Sequence, residues 1–402
     1  MAKLDITLDK QVEMCIRKQI DKLQGKLLRE DFEKVRVLYI AYEDDYDDKH
    51  NVITSLEGIQ YCKNLERITF RSTRINNIEI IGQLKRLVFL NLEDNNVQDI
   101  SSISQLKQLK SLNLKGNCRL RDISALDNLE QLEYLNLEDT GIIDTKPLEN
   151  LPTLKFLNLY NTLAQYINLK CPGKLISLGV PEGFRDLYKL KVFSSLKHLT
   201  LPRWVQQIDK LYQYLEPENI TSIRIQNNDI TQIKGIEKLK KLRVLDLFAN
   251  SIEDITVMGE LEQLRKLDLR INRISDIFVL SRLERLRSLK IGENKINDFT
   301  PLAELRDLQV LWAENNLIND LSFIKELNNL IYLYLGECDI SDISPLIELE
   351  NLRYLIIPEN KINSIKAIQN FKKLKCVHIY GNPISSTEIQ DMKMYFNGVE
   401  FI

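Results

Sequence analysis

Residues 242–263 read LRVLDLFANSIEDITVMGELEQ, residues 264–285 read LRKLDLRINRISDIFVLSRLER, and residues 286–307 read LRSLKIGENKINDFTPLAELRD. Three successive 22-residue blocks open on LxxLx(L/I), place an asparagine at the ninth position and an aliphatic residue two further on. The frame recurs from Leu65, Leu87, Leu109, Leu132 and Leu154, then from Ile220, Leu242, Leu264, Leu286, Leu308, Leu330, Leu352 and Leu374. Every step within each set is 22, except one of 23 from Leu109 to Leu132, where "GNCRLRDI" holds the extra residue. A repeat of this period marks a solenoid.

The last two apolar residues of each opening string alternate as in a short strand with one buried face. Each coil therefore contributes one strand to a parallel sheet and returns across the opposite side. One coil cannot bury its own apolar residues, so neighbouring coils close the core. The ninth position holds Asn95, Asn117, Asn228, Asn250, Asn272, Asn294, Asn316, Asn360 and Asn382, with Thr73, Thr140, Thr162 and Cys338 in its place elsewhere. A buried amide there satisfies backbone groups at the turn of its own and adjacent coils. The "IxDI" strings put two aliphatics inward, and "SPLIELENL" predicts a short 3₁₀-like return.

Between Thr162 and Ile220 the frame loosens. LxxLxL strings persist from Leu175 and Leu196, but Gly183 and Trp204 replace the asparagine. Segments 184–192 and 206–215 read as helical, with Leu187 and Leu190, then Val205, Ile208, Leu211 and Leu215, on one face. No Gly/Ser-rich linker is present, so the expectation is two irregular coils over 163–219. Both ends read as caps. Residues 8–29 form an amphipathic helix or two, followed by an early coil at Val35, Leu38 and Ile40. At the other end Ser385 and Glu388 suggest a capping box, then a helix, an Asn397-Gly398 turn and a last strand from Val399 to Ile402. The expected organisation is a helical cap over 1–34, repeats over 35–384 and a C-terminal cap over 385–402.

The repeats "ISDISPLIELENLRYL" and "INDFTPLAELRDLQVL" resemble those of bacterial internalin-like leucine-rich-repeat proteins. The segment "IRKQIDKLQGKLLREDFEKV…ITSLEGIQYCKNL" looks like their helical N-terminal cap. The resemblance implies an α/β fold, a right-handed curved solenoid with a parallel concave β-sheet, a convex side of 3₁₀ and short helical segments, and a concave face that binds protein partners. Surface members of that family carry an export signal, an immunoglobulin-like domain and a wall anchor. None is read here, so their host-receptor role is not carried over.

Other classes find little support. The 402 residues are 44% hydrophobic and 28% charged with net charge −2, which gives no global attraction to nucleic acid or an anionic membrane. Asp5, Asp9, Lys10 and Glu13 break up the N-terminal region, so no secretory signal is read, and no apolar run reaches the length of a membrane span. A cytoplasmic bacterial monomer is the expectation. The six cysteines form no CxxC pair and are expected as free buried thiols. His198 and His378 lie eight coils apart, roughly 38 Å at about 4.8 Å per strand, and His50 stands alone. No phosphate-loop, GxSxG or HExxH string occurs, so no enzyme and no cofactor are expected. The acidic run Glu43 to Asp48 lacks the glycine and distal glutamate of a calcium loop and reads as solvated.

The concave face is set by the outward strand positions. Early coils offer an Asn91, Asn113, Asn136, Asn158 column, read as structural. Middle coils offer Arg224, Asp246, Asp268, Lys290, Lys266 and Arg270, read as self-compensating charge. Late coils place Trp312, Tyr332, Tyr334, Tyr354, Ile356, His378 and Tyr380 together, with Phe248 nearer the middle. Tyr and Trp dominate interface energetics, so these eight residues are the candidate partner site. The other reading is that the rings stack on one another to stiffen the sheet. A protein-interaction module is the main expectation. A regulatory subunit targeting an enzyme such as a phosphatase, and a small-ligand or peptide sensor with a pocket near Trp204, are the alternatives.

Overall fold

A computed structural model of the chain describes residues 8–42, 52–206, 208–318, 320–396 and 398–402. The acidic run at 43–48, His50 and Asn397 lie outside the described residues. The chain divides into two compact units, residues 1–202 and 203–402.

The first unit opens with helix α1 (Lys10–Gln19), whose Val12 and Ile16 are buried. Asp9 caps it: its Oδ1 accepts from the Gln11 N–H at 2.9 Å, and its Oδ2 accepts from the Thr54 N–H and hydroxyl. One carboxylate thus ends the helix and clasps it to residue 54. A second helix, α2 (Arg29–Glu33), packs Phe32 edge-on against Tyr61. Eight short strands follow among the described residues, from Val37–Ala41 to His198–Thr200. All pair in parallel, and the central leucine or isoleucine of each meets its counterpart in the next: Leu38, Ile68, Leu90, Leu112, Leu135, Leu157, Leu178 and Leu199.

The second unit repeats this plan with nine parallel strands, from Ser222–Arg224 to Glu400–Phe401. Ile223, Leu245, Leu267, Leu289, Leu311, Leu333, Leu355 and Val377 form the buried central row. The opening leucine and the last aliphatic of each string are buried behind it. Helix α3 (Ser386–Tyr395) then leads to the terminal strand, which pairs in parallel with Cys376–His378.

The strands are joined through 3₁₀ turns. The aspartate of "IxDI" starts them: the carboxylates of Asp254, Asp298 and Asp342 accept from the backbone N–H two residues on, at 2.8 to 2.9 Å. This Asx arrangement supplies an N–H partner that a short helical turn otherwise lacks. The N–H and hydroxyl of Ser344 hold the Asp342 carboxyl below the usual carboxylate range. The ninth-position amides act as expected, except that the Asn228 Oδ1, next to the irregular coils, has no partner among the described residues. Asn250 Nδ2 donates to Ile225 O and Leu247 O, and its Oδ1 accepts from the Ile230 N–H. Asn117, Asn272, Asn316 and Asn360 repeat the pattern. Cys338 uses its thiol toward Ala313 O and Gly336 O.

Three expectations need correction. The segments read as helical over 184–192 and 206–215 fold as 3₁₀ turns, Leu187–Val192 and Leu211–Tyr214. Burial of Leu190, Ile208 and Leu211 needs only one apolar stripe, which a tight turn supplies as well as an α-helix. The capping box is half formed. Ser385 accepts from the Glu388 N–H, but the Glu388 carboxylate instead accepts from Ser364 Oγ and the Ile365 N–H, tying α3 to the preceding coil. The cysteines are all free, but only Cys62, Cys338 and Cys376 are buried, and Cys118 is exposed. Among the described residues no helix is long and apolar enough to cross a membrane.

Candidate partner-binding site

In the second unit, the strand residues flanking the buried central row point away from the core. Pairing fixes their neighbours: Trp312 lies between Lys290 and Tyr334, and Tyr332 between Val310 and Tyr354. Side chains at such matched positions stand within reach of one another. Trp312 is the centre. Its ring stacks on Tyr332 with centroids 5.7 Å apart and meets Tyr334 edge-on at 5.8 Å. Tyr332 in turn stacks on Tyr354 at 5.6 Å. The stacking reading is therefore realised in part, since the rings do touch. All four rings nonetheless remain half-exposed.

Cations approach from the other side. Lys290 Nζ lies 3.9 Å from the Trp312 ring centroid. The Arg270 guanidinium is 4.8 Å from Trp312 and 5.0 Å from Phe248. Phe248 is thus joined to the patch through Arg270. The mixed charge of the middle coils compensates itself at Arg270, which forks onto Asp268 with N–O distances of 2.7 and 3.0 Å. Lys290 is engaged by the tryptophan face, an attraction of cation and ring quadrupole, and burial, with Arg270 nearby, lowers its pKa.

Glu314, two residues beyond Trp312, escaped the sequence reading. Its carboxylate lies over Gly292, where a side chain would collide with it. Burial raises its pKa, and its Oε2 has no hydrogen-bond partner among the described residues. Trp312 Nε1 is likewise buried without a partner among them. The signal was the register: Phe248, Arg270 and Glu314 share one outward position at steps of 22 or twice 22.

The remaining expected residues divide. Tyr380 is exposed, while His378 is half-exposed and pairs with Ile356. Ile356 is a correction: at 9% exposure it is covered and offers almost no surface. Its matched neighbours on the adjacent strands are Tyr334 and His378. Trp204 is half-buried. Among the described residues no three His, Cys, Asp or Glu side chains come together to hold a metal ion. The face offers half-exposed, polarised aromatic rings.

In the first unit the Asn column behaves as read. Asn91, Asn113, Asn136 and Asn158 each accept through Oδ1 from the N–H two residues on, closing the strand end. Beside it stand Phe89, Tyr134 and Phe156, outward strand residues of the early coils.

The repeat region matches a family model. A model described as a leucine-rich repeat region covers residues 15–283. The chain belongs to the leucine-rich repeat family. No relative with a curated description matches it. Among solved structures, a leucine-rich-repeat protein of Leptospira interrogans is 23% identical, with 86% of this chain and 91% of that one covered and a TM-score of 0.55. The functional domain of InlJ from Listeria monocytogenes is 18% identical over 85% and 74%, with a TM-score of 0.54. An internalin from the same species is 25% identical over 98% and 94%, with a TM-score of 0.42. The fold of this leucine-rich-repeat chain is internalin-like, and such repeats serve in general as scaffolds for protein–protein interaction.

Proposed function

We propose that this leucine-rich-repeat protein captures a protein partner on the outward, concave sheet face of its second unit, with Trp312 as the anchor. The observation that carries the reading is the state of Trp312. Its ring is half-exposed on the outward face and bordered by Tyr332 and Tyr334. Large rings that keep two χ angles and an apolar face are the residue types in which binding energy concentrates.

The test is capture by the intact chain against the double variant Trp312→Ala, Tyr334→Ala, read by quantitative mass spectrometry. Each hot-spot ring typically contributes about 2 kcal/mol or more of binding, so captured partner should fall more than tenfold. Folding should lose only about 1 kcal/mol from ring contacts. Tyr395→Ala, an exposed ring on α3, is the control and should leave capture unchanged. Undiminished capture by the double variant would show that the anchor lies elsewhere.

A further inference from the structure

The outward face of the first unit carries a row of flat side chains with one gap. Arg67, Phe89, Ser111, Tyr134 and Phe156 occupy matched positions on five successive strands. The Arg67 guanidinium lies 4.1 Å from the Phe89 ring centroid, and the Tyr134 and Phe156 centroids are 6.0 Å apart. Between these two pairs stands only the small side chain of Ser111. Phe89, Ser111, Tyr134 and Phe156 line one open depression of about 510 Å³, with Lys110 and Glu133 at its border.

The dimensions of the gap follow from the rest of the molecule. Rings one coil apart stand 5.6 Å from centroid to centroid at Tyr332 and Tyr354, and 6.0 Å at Tyr134 and Phe156. Phe89 and Tyr134 are two coils apart, so the space above Ser111 is the place of one ring. Such a ring would touch Phe89 on one side and Tyr134 on the other.

We propose that this gap is a second binding slot, and that it takes one uncharged aromatic side chain of a protein partner, inserted between Phe89 and Tyr134. Aromatic pairs gain from offset or edge contact beyond the area they bury, which an aliphatic side chain does not. Charge at the border is mixed, Lys110 against Glu133, so it gives a cation no net attraction, and Arg67 already occupies one side of Phe89. The slot belongs to the first unit and does not rest on the reading of Trp312.

The probe is N-acetyl-tryptophanamide, titrated into the full chain and followed by the backbone amide signals of Ser111 and its neighbours in NMR spectra. N-acetyl-leucinamide and N-acetyl-argininamide are the comparison arms. Saturable shifts centred on Ser111 are expected for the tryptophan probe, with affinity roughly tenfold above the other two for contact with two rings. Ser111→Tyr supplies the missing ring from the chain itself. It should abolish the shifts at the neighbouring amides and melt no lower than the wild type. Tyr134→Ala, which removes one exposed wall, should weaken binding without filling the slot. The proposal is overturned if the leucine or arginine probe binds as tightly, if no shift centres on Ser111, or if both variants bind as the wild type does.

Discussion

Asn272 and Leu247 are joined across adjacent coils: the Asn272 side-chain amide donates to the Leu247 carbonyl at 3.1 Å. The same nitrogen donates to Leu269 O at 3.0 Å, and the amide oxygen accepts from the Ile252 N–H at 3.0 Å. One side chain therefore closes its own coil and the one before it. Asn272→Ala should cost about 3 kcal/mol, since it strands several buried backbone groups. Cys338→Asn should move the other way by about 1 kcal/mol, replacing weak thiol contacts with amide bonds at the same position. Urea unfolding of the two variants checks both signs, and a neutral Asn272→Ala would mean that the ladder is not structural.

Ile271 sits at φ +57° and is 38% exposed. A β-branched residue in the left-handed region is strained by roughly 1–2 kcal/mol, and here little burial compensates for it. The corresponding positions one and two coils earlier hold Ala249 and Asn227, at φ +54° and +57°. Asparagine tolerates this conformation, so Ile271→Asn should stabilise the protein by about 1 kcal/mol. A melting temperature equal to or below that of the wild type would count against the strain.

Glu314 has its pKa raised by burial. For an acid whose folded pKa lies above its unfolded value, the favourable contribution is present below the unfolded pKa, about 4.3 for glutamate. It is lost as pH rises through the folded pKa. Glu314→Gln removes the buried charge, and its Oε2 gives up no hydrogen bond among the described residues. The variant should therefore be more stable than the wild type at pH 7, with the difference shrinking toward zero near pH 4. Thermal unfolding across this range reads the sign directly, and a difference that grows on acidification would contradict it.

The repeat frame was legible because period and chemistry agree through the regular coils. Leu242, Leu264 and Leu286 recur at 22, and each is buried. Asn250 and Asn272 recur at the same step, and each makes the same three kinds of bond. Trp312, Tyr332, Tyr334 and Tyr354 came together for the same reason, since matched positions in equal-length coils must be neighbours. The helical reading of 206–215 went wrong because Ile208, Leu211 and Leu215 fit an α-helical stripe and a 3₁₀ turn alike. Ile356 went wrong because strand alternation says which way a side chain points but not what covers it.

The sequence by itself determined the class of fold, the length of each coil, the inward and outward faces and the ladder, since all of these follow from spacing along the chain. Only the tertiary structure decided what the outward side chains do. Lys290 could have paired with Asp268 and lies instead on the Trp312 ring, while Arg270 takes Asp268. Glu314 found room because Gly292 has no side chain. The gap above Ser111 exists because Phe89 and Tyr134 flank it one coil away on either side. These outcomes depend on rotamers and on competition among neighbours from different coils, and residues that meet across coils are coupled only once the coils have stacked.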